Sequence, residues 1–410
     1  MPATDHRGCA ISGATGHALE LYEAALEALR LQAGDALGLA RRAAREAPEF
    51  VAAHQLEAAL LLSSRDVRDF ESAGWVYARM ATLRMNERER GHAAALAAAV
   101  DGDFAAATRR YDDVLDAAPR DAVALHVASV MDYYLGSPAT MRERSTRALR
   151  SWDASLPGFH GLLAIHAFAL EECGEYGAAE AAARQALELE PRDLRAHHAM
   201  THVFEMQGRA EEGIRWMGMR ARHWTQGEAI STHLWWHLAL HHQQAGRPRF
   251  ALEIYDRRMR GGDALSERID ASALLWRLML DGVETGRRFE SLAGAWASHA
   301  EDAFCAFNDL HAMMAFAGGG RWDLAHRLLS AQIRRVARQV PGANRDMTRL
   351  VGLPACRALL LFARGEYAAA EALLRALPPV AHHIGGSHAQ RDVLHLTRAA
   401  AVQRSYRRAA

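Results

Sequence analysis

The sequence predicts an all-α protein of helix-turn-helix repeats wound into a right-handed superhelix, and three observations predict it. Glycine returns near a 34-residue period, at Gly34, Gly102, Gly136, Gly174, Gly208, Gly246, Gly320 and Gly365. Alanine-rich stretches between them, such as 91–100 and 178–189, strongly favour helix. No run alternates β-branched with polar residues, so sheet is not expected. A period this short means that no single unit buries its own apolar face, and stability comes from stacking neighbours.

Taken in order, residues 1–16 lack the charged-then-apolar layout of a secretory signal and read as a loose arm rich in Gly, Ser and Thr. Residues 17–379 read as one continuous solenoid. Its first helices run to about Leu83, with Gly34 in a turn and Pro48 after a helix. Two further units span Glu87 to Pro119 and Asp121 to Trp152. Leu156-Pro157-Gly158 breaks the chain before the sharpest repeats, Phe159 to Pro191 and Asp193 to about Arg222. Another unit covers Thr232 to Met259, and Gly261-Gly262-Asp263 reads as a loop. Helical register continues over 270–298 and 304–340, up to a break at Pro341-Gly-Ala-Asn344. Leu350 to Leu377 is the last repeat, stopped by Pro378-Pro379. Residues 380–410 form a capping segment and terminal helix, which would close the concave face if it packs back on it. Ser387 and Gln390 have capping-box spacing at its start.

Composition excludes several functions. The 49 acidic residues balance the 49 basic ones, so no large positive field draws nucleic acid. No apolar run approaches the ~20 residues of a membrane span. Four cysteines stand without CxxC spacing, which fits a reducing cytoplasm and gives no cysteine zinc site. Every basic residue apart from histidine is arginine. Without lysine there is no Schiff base for pyridoxal phosphate and no P-loop. No nucleophile elbow is present either.

Around the glycines a fuller pattern repeats. Gly174-Glu-Tyr176-x-x-Ala179 is followed by Ala186 and Pro191, Gly102-Asp-Phe104-x-x-Ala107 by Tyr111 and Pro119, and Gly365-Glu-Tyr367 by Ala370. This resembles the tetratricopeptide repeat. Further runs extend the likeness: His198-x-x-x-His202-x-x-Glu205, His233-x-Trp235-Trp236-His237, Tyr255-Asp256, Ser272-x-Leu274-Leu275-Trp276-Arg277-Leu278 and Gly385-Gly-Ser-His-Ala-Gln-Arg-Asp392. Together they resemble the tetratricopeptide-repeat protein 38 family over about Phe104 to Thr397. The resemblance implies a helical-repeat fold and no particular reaction.

The resemblance also implies which face each residue occupies. With the glycine near repeat position 15, positions 2, 5, 9, 12 and 13 line the concave surface. His126, His198, His202, Glu205, Glu171, Glu172, His233 and Trp236 fall there, and Trp276 does so if the register holds near Gly286. His198, His202 and Glu205 also share one helical stripe by spacing alone. Two histidines one turn apart suit a divalent metal, for which these three are the candidate ligands; the HExxH order is absent.

The functional expectation is a small-molecule enzyme, a hydrolase or lyase that is cofactor-free or metal-assisted. Its acid–base residues would be His198, His202, Glu205, His237, Glu172, His388 and Asp392. Trp236, Trp276, Arg277, Arg391, His233 and Glu171 would bind the substrate. The alternative is a scaffold that binds a peptide or partner protein without catalysis, since repeat solenoids commonly do so.

Overall fold

A computed structural model describes residues 3–225, 229–260, 264–338 and 342–409. The expected Gly261-Gly262-Asp263 loop and Pro341 of the second break lie outside the described residues. Helices account for nearly all regular structure among the described residues. None of these helices is long and apolar enough to cross a membrane. By internal contacts the chain divides into two compact units, residues 1–203 with 222–230, and residues 204–221 with 231–410.

Five helical hairpins build the first unit: Gly16–Leu31 with Ala36–Glu46, Val51–Leu62 with Val67–Met80, Glu87–Val100 with Phe104–Ala117, Ala122–Leu135 with Pro138–Ala148, and Phe159–Glu172 with Tyr176–Leu189. The helix Leu194–Met206 runs on across the division. The second unit holds Ala210–Met219, most of Ala229–Gln244 with Pro248–Ile254, Leu265–Leu280 with Arg288–Trp296, Ala306–Gly318 with Trp322–Ala337, Leu353–Ala363 with Tyr367–Arg375, and the terminal helix His388–Ala409.

Periodic glycines make these hairpins. Gly102, Gly136, Gly174, Gly208, Gly246, Gly320 and Gly365 all have positive φ. At each, the amide of the next residue reaches back five residues to a helical carbonyl, as in Glu175 N–H to Leu170 O (2.9 Å) and Arg209 N–H to Phe204 O (2.8 Å). Orphan carbonyls at the helix end are thereby satisfied, and only glycine enters this left-handed state without a Cβ penalty. The gap of two periods between Gly34 and Gly102 is filled by Arg65, a non-glycine residue at φ 62°. Its guanidinium covers the rings of Tyr134 (4.2 Å) and Tyr133 (5.0 Å).

The small residues of the repeat are packing contacts. Ala179 sits with Leu170 and Val203 in one buried cluster, and Ala186 with Leu163, Ala164 and Ala196 in another.

At the N-terminus the structure corrects the expected loose arm. Residues Ala3–Thr4 and Ala10–Ile11 pair as a short antiparallel ladder. Between them the buried Arg7 bridges Asp5 (3.0 Å) and Glu23 (2.8 Å). Arg88 donates to Ala10 O (2.9 Å), and Ser12 N–H to Glu89 (2.8 Å). A hairpin of two-residue strands is too short to carry the alternation that marks a strand in sequence.

In the second unit the terminal helix packs on the Leu265–Leu280 and Tyr367–Arg375 helices. Ser387 and Gln390 form the expected reciprocal cap, Gln390 N–H to Ser387 Oγ at 3.2 Å and Ser387 N–H to Gln390 Oε1 at 3.0 Å. Gly385 and Gly386 supply the left-handed turn that aims the helix (φ 74° and 80°).

Candidate functional site

The residues picked out by spacing divide between the two units. In the first, the helix Phe159–Glu172 ends on Glu171 and Glu172, both buried. One repeat later His198 and His202 stand a turn apart. Their rings meet edge to face with centroids 4.5 Å apart, and their Nε2 atoms are 2.9 Å apart. Phe168 stacks on His198 and places its edge against His202. His202, fully buried, brings Nδ1 to 3.4 Å from Glu171 Oε2. Glu171, Glu172 and His202 each offer one ligand atom within 4.8 Å of the others. The carboxylates beside His202 therefore come from the preceding hairpin. Glu205, expected as the third metal ligand, is engaged elsewhere.

Glu205 belongs to the second unit and meets His237, whose Nδ1 lies 2.8 Å from Glu205 Oε2. Both groups are buried. Burial pushes the Glu205 carboxyl up, against the pull of His241, Arg277 and His233. Burial pushes the His237 imidazole well down, and His233, His241 and Arg277 add to it. Both shifts disfavour a separated ion pair and favour a proton shared between carboxyl and ring. His233 is held by Asp270, with Nδ1 at 2.9 Å from both carboxylate oxygens, and its ring stacks on Trp236. His241 completes the row. It is buried, makes no hydrogen bond among the described residues, and has its imidazole depressed to about 4 by burial. A Cβ on Gly213 would lie 2.7 Å from its Nε2, so only glycine leaves room for that ring.

Arg277 lies buried beside this row, over the Trp236 ring at 5.7 Å. It donates to Ala389 O of the terminal helix. Burial lowers its pKa, while Asp392, Glu205 and Asp281 hold the charge in place. It therefore serves as a fixed internal cation between Glu205 and Asp392, not as an open substrate clamp.

Trp236 and Trp276, expected as an aromatic pocket wall, are core residues with no exposed surface. Trp276 packs on Phe289 and Phe362 and donates to Thr397 Oγ1 (2.9 Å). For Trp276 the cause is the terminal helix, which covers the face that repeat register alone leaves open.

The cavity of the second unit, about 540 Å³, lies beside that helix. Glu205, Gln244, His382, His388, Arg391 and Asp392 supply its polar lining, and His395 and Arg398 extend it along the helix. Leu374, Leu377 and Leu394 give an apolar side. Of the expected residues, Glu205, His388, Arg391 and Asp392 line this space directly. His237 and Arg277 reach it only through Glu205 and Asp392. His388 and Asp392 are exposed at its rim.

Sequence reasoning did not pick out Asp270, Gln244 or Arg398. A signal existed for Asp270, because polar partners here sit about one repeat apart. His233 and Asp270 are separated by 37 residues, His237 and Glu205 by 32, and His160 and Asp193 by 33. Asp256, one of the residues that carry the family resemblance, proves to be a hairpin tie, gripped in a fork by Arg288 (2.8 and 2.6 Å).

No family model matches the chain. Among solved structures, it is similar to yeast Tom70, at 10% identity and a TM-score of 0.43, over 95% of this chain and 89% of that one. It is also similar to a chain in the structure of Naa15/Naa10 bound to HypK-THB, at 13% identity and a TM-score of 0.29, over 90% of this chain and 64% of that one. At these values the helical-repeat assignment rests on the hairpins and their glycine turns.

Proposed function

We propose that this helical-repeat protein holds a small polar molecule in the cavity of its second unit and moves a proton on it. The observation that carries the reading is the Glu205–His237 pair, a buried carboxyl and imidazole at 2.8 Å with one edge on a 540 Å³ cavity. A carboxyl raised by burial keeps its proton to higher pH than a free one and can pass it to a ligand and take it back, with His237 as the internal partner. Arg391 and Asp392 present both charge signs at the rim, which suits a ligand of amino-acid or small amide type. Hydrolysis, elimination and isomerisation are the reactions such a pair supports. The test is a thermal-shift screen of amino acids, dipeptides and small amides and esters on wild type and Glu205→Gln, followed by turnover assays on the hits. Compounds that bind wild type and are turned over only by it support the reading. Hits that bind and react equally in the variant overturn it.

A second reading is a peptide- or protein-binding scaffold. It is favoured by the stripe of His388, Arg391, Asp392, His395 and Arg398 along one side of the terminal helix, about 15 Å of polar surface open at the rim. A partner captured by wild type, retained by Glu205→Gln and lost on Arg398→Glu would favour this reading over catalysis.

A separate metal reading, independent of that cavity, rests on Glu171, Glu172 and His202 of the first unit. A stoichiometric divalent metal, lost on Glu171→Gln or His202→Ala, would establish it. Retention of metal by both variants would exclude those ligands.

A further inference from the structure

The first unit contains a further cavity with a mostly apolar lining. It is lined by Leu26, Leu29 and Arg30 of the first helix, Leu125 and His126 of Ala122–Leu135, Trp152, the start of Phe159–Glu172, and Arg195. Two guanidinium groups converge on it. Arg195 makes no hydrogen bond among the described residues, and burial brings its pKa down to about 10 against the pull of the Asp193 charge. Arg30 pairs through Nη1 with the half-exposed Glu27 (3.2 Å), but its buried Nε and Nη2 have no partner among the described residues. His126 is buried at the wall, and burial together with Arg195 pushes its pKa well down, so it is a neutral ring.

The local backbone is built around Arg30. A Cβ at Gly158 would lie 2.5 Å from Arg30 Cδ and 2.6 Å from its Nε, and Gly158 has φ 90°. A Cβ at Gly161 would lie 3.3 Å from Arg30 Cγ. Two glycines thus let an arginine from the first helix lie along the first turn of a helix about 130 residues later. That 14-residue helix has no side-chain cap, so its positive end adds to the same field. The nearby carboxylate of Asp193 is committed to Ala196 N–H (3.0 Å) and to His160 (2.7 Å). Unpartnered guanidinium donors in a cavity cost free energy unless an anion satisfies them.

We propose that this cavity binds the carboxylate group of a compact organic acid. The cavity volume, about 30 Å³, fits one such head group, roughly two waters in bulk. Guanidinium forks match the two oxygens of a carboxylate. The remaining lining, Leu26, Leu29, Leu125, Leu162, Ile165 and Trp152, is apolar and would contact the body of the acid at the mouth. A phosphate dianion presents more acceptor oxygens than these donors can satisfy.

Calorimetric titration of the full chain with benzoate, isobutyrate and inorganic phosphate tests the assignment. Saturable binding of an organic carboxylate is expected, weakened about tenfold or more by Arg195→Gln and by Arg30→Gln. Arg195 has no hydrogen bond to lose, so Arg195→Gln should melt no lower than wild type. A variant-free readout is the shift of the Gly158 and Gly161 amide resonances of wild type on titration with benzoate. Glu205→Gln should leave this binding unchanged, which separates it from the site of the second unit. Absence of saturable carboxylate binding, unchanged affinity in Arg195→Gln, or phosphate binding tighter than both acids would each overturn the assignment.

Discussion

Single residues in this protein owe their chemistry to burial and to a partner one repeat away. His241 shows the effect of burial without a partner. Its folded-state value, about 4, lies below the ordinary 6.5, so the unfolded chain binds more protons between these values. Stability from this group is present above pH 6.5 and is lost as pH falls towards 4, by roughly 3 kcal/mol in all. His241→Leu should therefore flatten the acid limb of a urea-stability profile over that window. An unchanged limb would place the acid sensitivity elsewhere. Glu205 acts with the opposite sign. Its raised value favours the folded state at low pH, and the contribution is lost as pH rises through the folded value. Glu205→Gln, which keeps a hydrogen-bonding group of the same shape, should raise alkaline stability relative to wild type.

At the scale of elements, glycine position decides the sign of a substitution. Gly174 turns a hairpin at φ 78° with open space around it, so Gly174→Ala carries only the backbone penalty, about 1 kcal/mol. Three residues on, Gly177 lies inside the helix Tyr176–Leu189 with equal space, and Gly177→Ala should stabilise by about 0.5 kcal/mol. Chemical denaturation of the two variants should give opposite shifts. Another element-scale device is Arg144, buried between Asp132 and Asp112, which it bonds at 3.0 Å from both Nε and Nη2. Burial raises the Asp132 carboxyl to about 6 despite this arginine. Arg144→Met leaves that carboxyl without its cation and should cost about 3 kcal/mol, part of which Asp132→Asn should restore. A double-mutant cycle with no coupling would deny the pair its role.

At the scale of the whole molecule, the terminal helix is a structural member of the second unit. It accepts from Arg277 at Ala389 O, receives the Trp276 indole at Thr397, and sends Arg404 to Met279 O (3.1 Å). Deleting residues 380–410 would strand buried donors at about 1–3 kcal/mol each. Hydrogen exchange in the truncated chain should rise over residues 265–280 and stay unchanged over 122–135. Retained protection at 265–280 would show that the helix is dispensable to that core.

The repeat was legible because its cause is local. A left-handed turn excludes a side chain, so glycine marks the turn wherever it occurs, and the period of the glycines gives the hairpins. Capping by Ser387 and Gln390 was legible for the same reason, since four consecutive residues contain the whole interaction. What tertiary structure alone decided is which face each residue finds covered. The terminal helix turns Trp276 from pocket wall into core, and His237 claims Glu205 from the histidines on its own helix. Arg30 reaches Gly158 across about 130 residues, a contact set by the path of the chain and by nothing in the local pattern.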